Sequence, residues 1–128
     1  SLAAECVVPY DDMIVNVNTV LCSGTYSIPD DGSAGVLIIQ SNDVLLDCNG
    51  ATIQGDAQHG FGIWVEPYQS ITIRNCNLQY FNVGIYLDQA GEVVINNNEL
   101  TDNTAGIVLE NTDGIHKLQQ QWHCPPQF

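Results

Sequence analysis

The sequence predicts an all-β chain folded as a short parallel β-solenoid, with about four coils of roughly 22 residues. Three observations lead there: a repeat of fixed length, short apolar runs that alternate in and out, and bends rich in Asn, Asp and Gly between them. Three segments begin alike, Gly62-Ile63-Trp64-Val65-Glu66, Gly84-Ile85-Tyr86-Leu87-Asp88 and Gly106-Ile107-Val108-Leu109-Glu110, each 22 residues after the last. Nine positions after each Gly comes a second β-rich triplet: Ile71-Thr72-Ile73, Val93-Val94-Ile95 and Ile115-His116-Lys117. A third apolar mark falls at Leu78 and again at Leu100. An earlier, longer copy runs from Gly35 through Val44-Leu45-Leu46 to Ile53.

A 22-residue unit with three short strands cannot bury its own apolar face. Stacked on a copy of itself, it buries a continuous core, with like positions about 4.8 Å apart. Helices are opposed by the Val and Ile content, the Asn runs and the frequent Gly. Alternation places Ile63, Val65, Ile71, Ile73, Leu78, Ile85, Leu87, Val93, Ile95, Leu100, Ile107 and Leu109 inside. Trp64, Tyr86 and Val108 then stack outside the first sheet, with Glu66, Asp88 and Glu110 as an acidic column beside them.

Residues 1–34 are read as a lead-in that caps the first coil with Tyr10, Met13, Ile14 and Val20, and residues 35–118 as the coils. The repeat holds through Ile115, after which Lys117 falls on an inward position. Residues 119–128 then form a tail that either caps the far end or joins two copies through Trp122 and Phe128. A homodimer through this end is expected, because an uncovered last strand invites pairing. Ser1 to Ala4 resemble either the small-residue end of a signal peptide or a tag scar.

Charge narrows the partners. Fifteen acidic side chains against two basic ones, Arg74 and Lys117, give a net charge of −13. Nucleic acid is excluded, since phosphate neutralisation needs clustered Lys and Arg, and an anionic membrane surface is disfavoured for the same reason. No apolar run is long enough to span a bilayer as a helix. Cations, metal ions and neutral polymers remain. The five cysteines favour an oxidising compartment, extracellular or periplasmic. No Cys-x-x-Cys supports a zinc ribbon or thioredoxin-like centre.

The stretch from Ser41 to Gly114 resembles the pectin-lyase-like, right-handed parallel β-helix repeat family. The residues that carry the likeness are Asn42-Asp43-Val44-Leu45-Leu46-Asp47-Cys48-Asn49-Gly50-Ala51-Thr52-Ile53, then Ile71-Thr72-Ile73-Arg74-Asn75-Cys76, then the Gly-Ile starts. The lead-in Thr19-Val20-Leu21-Cys22-Ser23-Gly24-Thr25-Tyr26 is similar to the first segment of that family, so the likeness runs over residues 14–115. It implies a right-handed helix. It does not imply one activity, since the family includes lyases, hydrolases, epimerases and adhesins. In its carbohydrate-active members, polymers lie along a groove on the outer face.

Two readings compete for the outer face. Trp64, Tyr86 and the acids Glu66, Asp88 and Glu110 form a candidate ligand face, with rings against sugar faces and carboxylates on hydroxyls. Alternatively, stacked aromatics are simply good cross-strand neighbours and the acids a solvated edge. Three like charges in a column repel, so Glu66, Asp88 and Glu110 are also weak candidates for Ca²⁺; no other cofactor is expected. Asn75 and Asn97 share a bend position, where left-handed backbone and amide stacking suit Asn.

Cys48 and Cys76 lie in successive coils near one bend, and Cys6 and Cys22 flank the lead-in. Both pairs are candidate disulfides, with buried free thiols as the alternative. His59, His116 and His123 lack ligand spacing, and Asp30-Asp31-Gly32 is similar to a calcium loop without its remaining ligands.

Pectate-lyase-like chemistry, as the resemblance implies, needs acids that hold Ca²⁺ and a basic residue, and only Arg74 and Lys117 exist. No residue is assigned a catalytic role, and nothing in the sequence marks one acid of the column as a raised-pKa acid. The expected function is a non-catalytic module that binds glycans or serves as a surface scaffold. The alternatives are a truncated carbohydrate-active enzyme, a polysaccharide lyase or glycoside hydrolase using the acidic column, and a self-associating scaffold without ligand.

Overall fold

The structure, a computed structural model, describes residues 5–31 and 35–122, with residues 113–122 described by backbone alone. Each coil contributes up to three short strands. In chain order they are β1 Met13–Val15, β2 Thr19–Val20, β3 Thr25–Ser27, β4 Leu37–Ile39, β5 Leu45–Asp47, β6 Thr52–Gln54 and β7 Phe61–Val65. They continue as β8 Gln69–Arg74, β9 Asn77–Gln79, β10 Val83–Asp88, β11 Gly91–Thr101, β12 Ala105–Glu110 and β13 Asp113–Trp122. No helix occurs among the described residues.

Every strand pairing is parallel. The first sheet has the order β1-β4-β7-β10-β12. The second runs β2-β5-β8-β11-β9-β6-β3, with β13 also pairing β11. Strand β11 is long enough to occupy two strand positions of its coil, and so joins the β8 and β9 columns. This is an all-β solenoid of about four turns.

The register explains the core. Leu37, Ile63, Ile85 and Ile107 align in one inward column and Ile39, Val65, Leu87 and Leu109 in another. All but Leu109 are buried; Leu109, under the last described coil, is half-buried. Ile71, Ile73, Leu78, Val93, Ile95 and Leu100 fill the other side. Phe81 is also fully buried, at a bend outside the apolar triplets. The repeated Gly has a steric cause: a Cβ on Gly62 would sit 2.6 Å from the Gly84 carbonyl oxygen, and one on Gly84 would sit 2.8 Å from that of Gly106.

Bends stack as well. Asp43, Ser70 and Glu92 all take positive φ between sheets, as do Asn49, Asn75 and Asn97 at the next corner. Asn is among the few side chains that tolerate this conformation. The Asn97 amide donates to Asn75 Oδ1 at 2.7 Å, and the Asn75 amide donates to Asp47 Oδ1 at 3.0 Å, forming a ladder across coils. Two further asparagines point inward, each 2% exposed. Asn98 accepts from the Cys76 N–H and donates to the Ile73 carbonyl; Asn103 accepts from the Phe81 N–H and donates to the Leu78 carbonyl. They satisfy backbone groups that the bends leave without a ladder partner. Cys6 is bonded to Cys22 and Cys48 to Cys76, with Cα separations of 4.7 and 4.8 Å.

Several boundaries differ from the expectation. Residues 13–27, within the lead-in, carry three strands of their own, with β1, β2 and β3 pairing β4, β5 and β6. Met13 is buried, but Tyr10 and Ile14 are 59% and 43% exposed, because their positions face outward. The copy from Gly35 is displaced by one: Leu37 pairs Ile63, so Val36 rather than Gly35 stands opposite Gly62. Strand pairing also continues past residue 118 to Trp122, opposite Leu100, after a register irregularity where Lys117 falls. Backbone ladders carry the strand beyond the end of the side-chain pattern, since N–H and C=O groups are common to every residue. Ser1 to Ala4, Gly32, and the tail residues His123, Cys124 and Phe128 lie outside the described residues, as does the side chain of Trp122, so the readings of that tail do too.

Asn103→Ala is expected to destabilise the fold by about 1–3 kcal/mol by orphaning two backbone groups. Asn97→Ala, on the exposed ladder, should cost well under that, and urea unfolding of the two variants compares them.

Candidate functional site

The outer face of the first sheet is built by the same register that builds the core. Trp64 pairs Tyr86, and Tyr86 pairs Val108, all half-buried and facing outward; Ile38 and Ile14 continue the column below. The Trp64 and Tyr86 rings lie 4.6 Å apart at 41°. Phe61 completes the set, edge-on to Trp64 at 4.9 Å and tilted to Tyr86 at 5.3 Å. Such separations are those of attractive aromatic pairs. Phe61 was not singled out from sequence. Its signal was an apolar residue at the same repeat position in three coils, Phe61, Val83 and Ala105.

The acids stand two residues beyond the rings. Asp88 pairs Glu110 across β10 and β12, and Glu66 follows the end of β7. Glu66 shares a side-chain hydrogen bond with Asp88, and that bond, partial desolvation and the charges of Asp88 and Glu110 raise its pKa above the ordinary carboxyl value. The sequence does not reveal this shift, because the pairing depends on side-chain approach between coils. Burial, the charges of Asp88 and Glu110 and a hydrogen bond to Glu110 push the Tyr86 phenol up to about 12. The aromatic and acidic columns are thus one electrostatic unit with a negative potential.

One residue past Glu66 the chain turns through a cis peptide to Pro67. A shallow depression of about 480 Å³ opens at this bend, lined by Asn42, Asp43, Pro67, Tyr68, Gln69 and Ser70. Asn42 Oδ1 accepts from the Gln69 N–H at 2.9 Å and fixes the bend to the coil before it.

Arg74 is on the other sheet, where its Nε meets Asp47 Oδ2 at 3.1 Å. Burial alone would raise the Asp47 pKa. Hydrogen bonds from Asn75, the Asn49 N–H and Arg74, with the Arg74 charge, outweigh burial and lower it. Arg74 is thus engaged away from the acidic column.

Elsewhere, Asp11, Asp12 and Asp30 bring one carboxylate oxygen each to within 4.8 Å of one another. Asp11 and Asp12 precede β1 while Asp30 follows β3, so no local motif in the sequence joins the three. Their proximity is created by coil closure, not by local spacing. His59 is exposed at a bend.

The chain matches the family model described as a right handed beta helix region over residues 14–117. It belongs to that right-handed β-helix family. No curated protein and no solved structure matches it significantly. Among the described residues, no helix is long and apolar enough to cross a membrane.

A carboxyl raised in the folded state contributes stability at low pH that is lost as pH rises past 4.5 through its folded value. Glu66→Gln keeps a hydrogen-bonding group beside Asp88 without the second charge. The fall in melting temperature between pH 4 and pH 7 should therefore be smaller in this variant. Asp47 has the opposite sign: its contribution is present above its ordinary value of 3.8 and is lost as pH falls through the lowered folded value.

Proposed function

We propose that the outer face of the first sheet is a glycan-binding surface and that the chain acts as a non-catalytic binding module. The observation that carries this reading is the aromatic set Phe61, Trp64 and Tyr86, partly open to solvent and flanked by Glu66, Asp88 and Glu110. Ring faces provide apolar contact for the C–H faces of sugars, and carboxylates accept hydrogen bonds from hydroxyls. The net charge of −13 and the acidic column favour neutral or amine-bearing glycans over uronic-acid polymers. Two disulfides in a small chain support an extracellular or periplasmic setting. On a glycan array the protein should retain a neutral or amine-bearing polysaccharide, and Trp64→Ala should weaken binding roughly tenfold, about 1.4 kcal/mol. Binding that ignores Trp64→Ala, or no binding at all, would sink the proposal.

A second reading is favoured by one specific observation, the raised carboxyl of Glu66 beside Asp88. Two carboxyl side chains held next to each other, one with its pKa raised by the other, resemble the pair a glycoside hydrolase uses. A screen for reducing-end release from neutral polysaccharides tests it. Any activity found should vanish in both Glu66→Gln and Asp88→Asn; activity that survives both rules the column out as its source.

A further inference from the structure

We propose that Asp11, Asp12 and Asp30 form a calcium site that clasps the two ends of the first coil. Asp11 and Asp12 immediately precede β1, and Asp30 lies three residues beyond β3. Their ligand oxygens converge within 4.8 Å. A second and independent observation points to a ligand: Asp11 Oδ1 is shut off from solvent and accepts no hydrogen bond. The other oxygen of that carboxylate accepts from the Asp31 N–H at 3.2 Å, which holds Asp11 against the segment carrying Asp30. An unsatisfied buried carboxylate oxygen is costly, and a cation is the partner that best relieves it.

Asp30 itself is only 1% exposed, and its Oδ2 accepts from the Phe61 N–H at 3.0 Å. The site is therefore anchored to β7, two coils along, rather than floating on a loop. The two basic residues of the protein lie elsewhere in the fold. Arg74 is paired with Asp47, and Lys117 lies on β13, at the far end of the solenoid.

The donor set selects the ion. Carboxylates are hard oxygen ligands, without the nitrogen or sulfur favoured by zinc. Oxygens on opposite sides of Ca²⁺ are separated by about 4.6–5.2 Å, whereas Mg²⁺ holds them at about 4.0–4.2 Å. A set that converges within 4.8 Å can reach the spacing of a Ca²⁺ shell, and Ca²⁺ tolerates irregular carboxylate geometry better than Mg²⁺, which demands a near-ideal octahedron. Water completes the shell on the exposed side, where Asp12 lies. Few fixed ligands and an open side place the affinity in the range of about 0.1–1 mM typical of extracellular modules. Bound there, Ca²⁺ closes the coil that β1, β2 and β3 form.

The full chain, stripped with EDTA and dialysed, is titrated with CaCl₂ and separately with MgCl₂ by calorimetry, and its melting temperature is followed. The expected result is one Ca²⁺ per chain, a melting temperature several degrees higher at about 5 mM Ca²⁺, and a weaker response to Mg²⁺. Asp12→Asn, at an exposed position, should fold and bind Ca²⁺ at least roughly tenfold more weakly. The triple variant Glu66→Gln, Asp88→Asn, Glu110→Gln should keep the wild-type calcium response. Hydrogen exchange on the wild type provides a readout independent of any variant, with Ca²⁺ slowing exchange in β1 and β3. The proposal is overturned if the wild type shows no saturable Ca²⁺ binding. It is equally overturned if the response survives Asp12→Asn and disappears in the triple variant.

Discussion

The rest of the structure depends on the parallel register between successive coils. Once Ile63 lies over Leu37 and under Ile85, the partner of every neighbouring residue is decided. The inward column becomes continuous, the backbone ladders are satisfied, and the bends stack Asn on Asn. The later coils hold this register with a step of 22 residues; the earlier ones take between 24, from Met13 to Leu37, and 27, from Thr25 to Thr52, and their extra residues are absorbed in the bends. The core alone does not suffice to hold it. Asn98 and Asn103 are buried polar side chains that bind the backbone of the preceding coil, so a slip of one residue would expose four hydrogen-bonding groups as well as the apolar set.

The same register creates the surface. Stacking aligns aromatic residues to their mutual benefit, as with Trp64 and Tyr86, but it also aligns Glu66, Asp88 and Glu110, whose charges oppose one another. The conflict is moderated locally by the Glu66–Asp88 hydrogen bond and by the link from Tyr86 to Glu110. On the second sheet the column is mixed instead: Asp47 meets Arg74 and Asn75, and its carboxyl is held in the charged state. The two sheets thus present opposite solutions to stacked charge, and only the first leaves an acidic column beside half-buried rings.

The first described coil is held by covalent and polar links to the segment before it. Cys6–Cys22 ties the lead-in to the first coil, Val7 bridges to Leu21, and Asp11 is bonded to the Asp31 backbone. Cys48–Cys76 makes a similar tie between interior coils at the second corner.

The sequence by itself determined the repeat, the solenoid class and nearly all of the buried face. Those features depend on alternation and on a period that is printed in the order of residues, as Ile63, Ile85 and Ile107 show. It also placed Trp64, Tyr86 and the acidic column on one outer face, since that too follows from period-2 geometry. Tertiary structure decided what periodicity does not encode. Residues 13–27 form a coil although their repeat signal is weak, because backbone pairing needs no particular side chain. Phe61 joins Trp64 and Tyr86, Glu66 gains its raised carboxyl, and Asp11 and Asp12 meet Asp30 only through coil closure. Each of these depends on the distance between atoms of different coils, a quantity set by how bends of unequal length close and not by any local pattern.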